Sequence, residues 1–178
     1  MKTLINILCL FLLAGCNSCE LNDITKQPKT ELEKLPPATQ EGKYTFGCLV
    51  NGKAWYTYSG GISDYQLGSL SIGATVIDLD QSIGINLREK MGDPVLNTGT
   101  YSLLSSSSYS PTVSFLVTNF CFYGTTTNPQ DLLNGSLSIT KFDKSNYIIS
   151  GTFNFTFAHM GCDTLRVTDG RFDIEYAP

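Results

Sequence analysis

The chain has 178 residues, of which 42% are hydrophobic and only 16% are charged, and its formal net charge is −4. This length fits one domain with a tail, because domains usually contain about 100–200 residues. The low charged content excludes a coiled coil or a disordered chain for the bulk of the sequence. Nucleic acid is not expected as a partner, because acidic residues outnumber basic ones by 16 to 12 and phosphate binding needs clustered lysine and arginine.

Residues 1–15 predict a signal peptide. Lys2 precedes an apolar run from Leu4 to Leu13, and small residues follow that run. The run is too short to span a bilayer, which needs about 20 residues. Residues 13–16, Leu-Ala-Gly-Cys, resemble the lipobox of bacterial lipoproteins, and this resemblance implies that Cys16 is lipidated and becomes the mature N-terminus. The alternative is an ordinary signal peptide in which Cys16 is incidental.

The residue after the cysteine bears on location. Asn17 follows Cys16, and by resemblance to Gram-negative lipoproteins this favours the outer membrane over the inner one. We expect an exported protein held in the outer membrane by several acyl chains, with a periplasmic or a cell-surface orientation left open. Removing residues 1–15 removes only Lys2, so 11 basic and 16 acidic residues remain and the net charge becomes −5. Anionic lipid therefore exerts no attraction of its own on the mature protein.

Residues 16–42 are predicted to be the lipidated cysteine followed by a flexible polar tether. The segment contains Pro28, Pro36 and Pro37 and lacks a sustained apolar period. Residues 31–35 suit a single helical turn, which the prolines would end. Because the segment has little apolar surface to bury, we expect the domain to fold without it, from Lys43 onward.

Residues 43–178 predict one all-β domain, either an antiparallel β-sandwich or a barrel-like fold. Turn signals separate short segments in which apolar residues alternate at period two, and no window of helical length shows a 3.6-residue period. Such segments are typical of sandwiches and barrels. They lie at 70–76, 83–87, 113–117, 137–139, 153–157, 165–167 and 172–176. The 136 residues are enough to bury one core.

The Asn-Gly pair at 51–52 predicts a hairpin with a type I′ turn. In this register Phe46 faces Thr57, and Cys48 faces Trp55. These residues of the first strand would then share the core face with Val50 and Trp55. The sole tryptophan is therefore expected to pack in the core rather than to serve as a platform for a ligand.

Four blocks of the sequence resemble an uncharacterised family of Bacteroidota lipoproteins. They are residues 35–40 (LPPATQ), 45–55 (TFGCLVNGKAW), 150–155 (SGTFNF) and 167–173 (VTDGRFD). The similarity extends from the lipobox to the last predicted strand. It implies a β-rich domain of the cell envelope, and it assigns neither an activity nor any functional residues.

The residues with catalytic or metal-binding chemistry are few and scattered. His159 is the sole histidine, and its use with a cysteine nucleophile would require Cys48 or Cys162 nearby in the fold. Zinc binding needs a cluster of such residues, which the spacing does not offer. Asp173 and Glu175 alternate with apolar residues and are expected on a solvated strand face. The sequence therefore predicts no catalytic, cofactor-binding or metal-binding residues, and no enzyme.

The cysteines predict one disulfide. Export removes Cys9 and lipidation uses Cys16, which leaves Cys19, Cys48, Cys121 and Cys162. If segments 113–123, 134–141, 147–158 and 163–168 form an antiparallel meander, Cys121 and Cys162 reach the same edge of the sheet. A disulfide persists in an oxidising compartment, so we expect Cys121 to pair with Cys162.

Two functions of different classes follow. The first is a non-enzymatic outer-membrane lipoprotein whose β domain binds an envelope ligand, such as a glycan, or another envelope protein. Nine tyrosines favour it, since exposed tyrosine suits such contacts. The alternative is a structural or accessory subunit of an envelope complex without a ligand site of its own. Neither hypothesis involves a cofactor or nucleic acid.

Overall fold

The computed structural model describes residues 29–90, 96–104, 108–117 and 121–177, so the predicted lipidation site Cys16 lies outside the described residues. Within these ranges the chain forms eleven strands and three short 3-10 turns. The strands are β1 (Thr45–Val50), β2 (Lys53–Thr57), β3 (Gly61–Gln66), β4 (Ser69–Val76), β5 (Gln81–Glu89), β6 (Gly99–Ser102), β7 (Tyr109–Val117), β8 (Phe122–Gly124), β9 (Leu132–Asp143), β10 (Ile148–Phe157) and β11 (Leu165–Glu175). The turns are Leu32–Lys34, Ile77–Leu79 and Pro129–Asp131. The all-β class predicted from the alternation is confirmed.

The strands form two antiparallel sheets. A six-stranded sheet has the order β2-β1-β11-β10-β9-β6, and a five-stranded sheet has the order β3-β4-β5-β7-β8. The sheets pack against each other and do not close, so the fold is a sandwich rather than a barrel. At one edge Ala177, just beyond β11, forms a parallel bridge with Asp64 of β3. The C-terminal end of β11, a central strand of the six-stranded sheet, therefore lies beside β3, an edge strand of the five-stranded sheet.

The first hairpin has the predicted register. Cys48 pairs with Trp55 and Phe46 pairs with Thr57. Asn51 and Gly52 have φ angles of 49° and 80°, which the type I′ turn requires. The local turn chemistry therefore accounts for the register of this hairpin.

The predicted meander is partly wrong. β9, β10 and β11 are consecutive antiparallel neighbours, as expected. The segment 113–123 instead contributes to β7 and β8 of the five-stranded sheet, where β7 pairs with β5. Alternation at period two fixes which face of a strand is buried, but it does not identify the neighbouring strand.

Cys121 and Cys162 form a disulfide, with their Cα atoms 6.0 Å apart. Cys121 immediately precedes β8, and Cys162 lies between β10 and β11. The bond therefore joins the two sheets, whereas the sequence argument placed both cysteines at the edge of one sheet. The expected pair is present, although the strand arrangement used to infer it is not.

Aromatic side chains fill much of the space between the sheets. Trp55 is 2% exposed, which confirms its prediction as a core residue. Its ring centroid lies 6.0 Å from that of Phe46 and 6.5 Å from that of Phe115 on the opposite sheet. Further buried residues come from the inward positions of both sheets: Leu70, Ile72, Ile83, Ile85, Leu87, Val113, Leu137, Ile139, Phe153, Phe155 and Phe157.

Residues 29–42 pack on the outer face of the six-stranded sheet, which corrects the prediction that residues up to 42 are a flexible tether. We call this segment the N-terminal strap. Leu35 is 6% exposed, and Pro36 lies so close to Gly47 of β1 that a Cβ there would be 2.8 Å from the proline Cδ. The Glu31 carboxylate accepts a hydrogen bond of 2.7 Å from the Ala54 backbone N–H. A few specific contacts thus hold a segment whose composition is polar.

The sequence predicted a solvated Asp173, and this prediction is wrong, because the strap covers the residue and buries it. Its carboxylate accepts hydrogen bonds from the Thr39 hydroxyl, the Glu41 N–H (3.0 Å), the Gly42 N–H (2.8 Å) and the Ser150 hydroxyl (2.7 Å). Three of these four donors belong to the strap. The strand alternation does point this carboxylate away from the core, but a segment distant in sequence covers it.

Candidate functional site

The outer face of the five-stranded sheet carries a groove of about 330 Å³. Gly73 of β4 pairs directly with Gly84 of β5, and both point outward. Because neither residue has a side chain, the centre of the sheet is left as bare backbone that forms the floor of the groove. Ile62 of β3 lines one side of the groove, and Ser114 of β7 lines the other. The volume is at the lower end of the range typical of small-molecule sites, about 300–1,000 Å³.

Short polar side chains line the groove on both sides of the glycine pair. They are Ser63, Asp64, Ser71, Thr75, Ser82, Asn86 and Ser114. Asn86 donates a hydrogen bond of 3.1 Å to the Thr112 hydroxyl, so it is fixed in orientation. The lining residues include one carboxylate and no lysine or arginine. The groove therefore offers hydrogen-bonding groups without positive charge.

Asp64 has an unusual environment within this groove. Its Oδ1 atom is buried and has no hydrogen-bond partner among the described residues. A buried carboxylate oxygen without a donor costs folding free energy, because it has lost water and gained nothing in return. Because this oxygen has almost no accessible surface, a hydroxyl, an amine or a water molecule in the groove would reach it only after a shift of the Asp64 side chain.

A second cavity, of about 370 Å³, lies around the edge of β3. We call it the tyrosine cleft, because Tyr44 and Tyr147 line it together with Glu175. Its remaining lining comes from β3, the β9–β10 turn and the chain end: Gly61, Ile62, Ser63, Asn146, Tyr176 and Ala177. Ile62 and Ser63 also line the sheet groove, so the two cavities are neighbours that share one wall.

The polar groups of the cleft are partly paired with each other. The Tyr44 hydroxyl donates a hydrogen bond of 2.6 Å to Glu175. This bond, together with partial burial and the negative charge of Glu175, raises the pKa of Tyr44. The chain end is held by two backbone bonds, from the Tyr65 N–H to the Ala177 carbonyl and from the Ala177 N–H to the Ser63 carbonyl, each 3.1 Å. The cleft therefore has a fixed backbone frame.

The tyrosines differ in their surroundings. Tyr123 and Tyr176 are buried in the core, whereas Tyr44, Tyr58 and Tyr147 are exposed. Two of these three exposed rings line the tyrosine cleft. The sequence indicated that tyrosines are available for binding, but it did not show which of them meet.

The cysteine and histidine residues considered for catalysis do not assemble. Cys162 is in the disulfide, and Cys48 is buried in the core, where burial raises the pKa of its thiol and keeps it protonated. His159 is half-buried, and its Nδ1 atom lies 2.6 Å from Oδ2 of Asp131, the last residue of a 3-10 turn. Neither cysteine can act as a thiolate beside this histidine.

Among the described residues there is no group of three or more histidine, cysteine or acidic side chains that could hold a metal ion. No helix in the same ranges is long and apolar enough to cross a membrane.

Comparison with known proteins gives one match. Residues 84–173 match the model of a domain of unknown function, DUF6252, and this stretch runs from β5 through most of β11. It includes both disulfide cysteines and Asp173, whereas the strap and β1–β4 lie before it. Searches of curated proteins and of solved structures find no significant match. Since the matched stretch makes up 90 of the 178 residues, the chain belongs to the DUF6252 family.

Proposed function

We propose that the protein is a lipid-anchored protein of the bacterial cell envelope whose β-sandwich binds a ligand in the groove of the five-stranded sheet. The lipobox-like sequence ending at Cys16 and the resemblance to Bacteroidota lipoproteins support the anchored, outer-membrane location. The protein acts in this proposal by binding rather than by catalysis, because among the described residues Cys121 and Cys162 form the disulfide, Cys48 is buried in the core and His159 is held by Asp131.

The observation that carries the binding proposal is the unpartnered Asp64 Oδ1 in the groove. Buried polar atoms are normally hydrogen-bonded, so an orphaned one in a cavity lining indicates a group that a ligand satisfies. The bare floor at Gly84 supports the same conclusion, since a Cβ there would lie 3.0 Å from the Ser114 hydroxyl, which lines the groove. Gly73 is required for a different reason, because a Cβ there would lie 2.5 Å from the Ile83 carbonyl oxygen. A ligand could thus contact the backbone of the sheet directly.

Native mass spectrometry of the protein purified from its own membranes under mild conditions tests the proposal. We expect a bound small molecule in the wild type and its loss in Gly84→Val. A Cβ at Gly84 would be 3.0 Å from the Ser114 hydroxyl, which can rotate, so the valine fills the groove while suiting a strand. The matched control is Thr168→Val, on an exposed position of the six-stranded sheet. Absence of any bound molecule from the wild type would contradict the proposal.

An accessory subunit remains the second candidate because of one apolar surface. Leu116 of β7 and Phe122 of β8 are paired and exposed at the edge of the five-stranded sheet. An exposed apolar pair at a sheet edge suits contact with another protein. Crosslinking in native membranes that recovers a stoichiometric protein attached at this edge, with no small molecule bound, would favour this function.

A further inference from the structure

We infer that the tyrosine cleft is a pyranose-binding subsite, so that the ligand of the proposed function is a neutral glycan extending from the cleft into the sheet groove. This inference rests on the proposed function and names its ligand class. The first observation is the backbone conformation of the two tyrosines. Tyr44 and Tyr147 have φ angles of 57° and 55°, in the left-handed region that side chains other than asparagine and aspartate disfavour.

The residue type is unusual for both conformations: Tyr147 ends the β9–β10 turn, where a left-handed residue is common, but glycine or asparagine would suit that position better than tyrosine. Six non-glycine residues in the described part of the chain have positive φ, and three of them are Asn51, Asp80 and Asp169, which tolerate it. The others are Tyr44, Leu67 and Tyr147, so two of the three disfavoured cases line one cavity. Strained residues cluster at functional sites, where the side chain rather than the backbone is required.

The surrounding structure holds both strained backbones in place. The Tyr44 carbonyl accepts a hydrogen bond of 3.1 Å from the Gly61 N–H, and the Tyr147 carbonyl accepts one of 2.7 Å from the Tyr176 N–H. Both donors belong to residues that line the cleft. Tyr44 and Tyr147 are 43% and 46% exposed as residues, and the Tyr147 ring packs edge-to-face on Tyr176, with 5.8 Å between the ring centroids. Each tyrosine therefore keeps surface that a ligand can contact.

The chemistry of the cleft matches that of a sugar ring. A pyranose has an apolar face of C–H groups and a rim of hydroxyls, and tyrosine combines an apolar ring with a polar tip. The Glu175 carboxylate and the Asn146 amide, which also line the cleft, suit the hydroxyl rim. The neighbouring groove adds the Asp64 carboxylate and several serines, which also suit hydroxyl groups.

The charges select a neutral glycan. Asp64 and Glu175 are carboxylates, and neither cavity is lined by lysine or arginine. An acidic sugar or a phosphorylated lipid headgroup would bring a negative charge beside these carboxylates without a cation to balance it. Because Ile62 and Ser63 line both cavities, a chain of at least two sugars can occupy them together.

An array of immobilised neutral and acidic oligosaccharides, probed with the labelled full chain, tests the inference. We expect retention on neutral oligosaccharides and binding weakened roughly tenfold or more in Tyr44→Asn and in Tyr147→Asn. Asparagine tolerates the left-handed backbone, which offsets the loss of the bond from Tyr44 to Glu175 and of the ring contact between Tyr147 and Tyr176, so both variants should melt near the wild-type temperature. A purely structural role for the rings predicts a clear drop in melting temperature with unchanged binding by the folded protein. The matched control is Tyr58→Asn, an exposed tyrosine outside the cleft, which should bind as the wild type does.

The inference is overturned if no neutral oligosaccharide is retained, if only acidic ones are, or if the cleft variants bind as the wild type does. These outcomes are distinguishable from failure of the proposed function. Suppose that a molecule is bound to the wild type and lost in Gly84→Val, while no oligosaccharide is retained on the array. The glycan inference would then be wrong, and the proposal that the groove binds a ligand would stand. Retention that depends on Tyr147 but not on Gly84 would confine binding to the cleft.

Discussion

Asp173 is buried, and its carboxylate accepts four hydrogen bonds. Because protonation of this carboxylate weakens these bonds, we expect the fold to lose stability in acid. Burial acts to raise the pKa of Asp173, but the hydrogen bonds outweigh it and hold the pKa below its ordinary value. The unfolded chain has an aspartate pKa of about 3.9. The stabilisation is therefore complete above that pH and is lost as the pH falls through the lower, folded pKa.

We predict that Asp173→Asn lowers the free energy of unfolding at neutral pH by about 2–3 kcal/mol, because an amide N–H₂ would face backbone donors. The variant should also show a smaller decline in stability below about pH 4 than the wild type, because the contribution of Asp173 is gone while Glu31, Glu33 and Asp143, whose pKa values are also lowered, still titrate. Urea unfolding across this pH range measures both effects. Asp169→Asn is the matched control, since this exposed aspartate of the same strand has a φ of 53° that asparagine tolerates. Identical acid profiles for Asp173→Asn and the wild type would contradict the role given to Asp173.

At the scale of elements, the strap contributes to stability although it contains no strand. Leu35 and Pro36 are buried on the six-stranded sheet, and the Lys141 ammonium donates a hydrogen bond of 2.9 Å to the Gln40 carbonyl. Without the strap, Asp173 would keep only the Ser150 hydroxyl among its four donors. The conformational entropy that the strap residues lose on ordering offsets part of the free energy that these contacts contribute.

A chain that begins at Lys43 is therefore expected to be less stable than one that begins at Lys29, by about 2–4 kcal/mol. This expectation replaces the one drawn from composition, in which the domain is indifferent to everything before Lys43. Thermal and urea unfolding of the two chains measure the difference, and the full chain should match the one that begins at Lys29. Equal free energies of unfolding for the two shortened chains would show that the strap packs on the sheet without adding to stability.

The elements also show what a sequence can specify. The β1–β2 hairpin was predictable in full because an Asn-Gly turn and alternation act over neighbouring residues. The location of β7 in the five-stranded sheet was not predictable from the sequence, because it depends on pairing between distant segments. The groove left a signal in the outward glycines of β4 and β5, but only the pairing of Gly73 with Gly84 places them side by side. The sequence of β11 gives no sign that Asp173 is buried, because the residues that cover it belong to the strap.

At the scale of the whole molecule, the disulfide connects the two sheets and closes a loop of 41 residues. We predict that replacing Cys121 and Cys162 together with serine lowers the free energy of unfolding by about 3–4 kcal/mol, because the open chain has more conformations to lose on folding. Urea unfolding measures this. Peptide mapping without reduction should recover the two cysteines in one linked species, whereas Cys48 should react only after denaturation. Alkylation of Cys121 and Cys162 in the native protein would refute the pairing.

The location of the molecule has its own test. We predict that Cys16→Ala releases the protein from membranes or leaves an unprocessed precursor, because the acyl chains are the expected anchor. Fractionation of membranes and measurement of the mature mass distinguish these results from the wild type. Normal processing with unchanged membrane retention would mean that Cys16 is not the lipidation site.

The strap further determines how a mechanical load enters the sandwich. Tension transmitted from an N-terminal lipid anchor would reach the bond between Glu31 and Ala54 first, then the packing of Leu35, and then the hydrogen bonds to Asp173. The first strand begins only at Thr45, behind all of these contacts. A pulling force would therefore detach the strap one contact at a time. The strands of the two sheets would stay paired until the whole strap had detached.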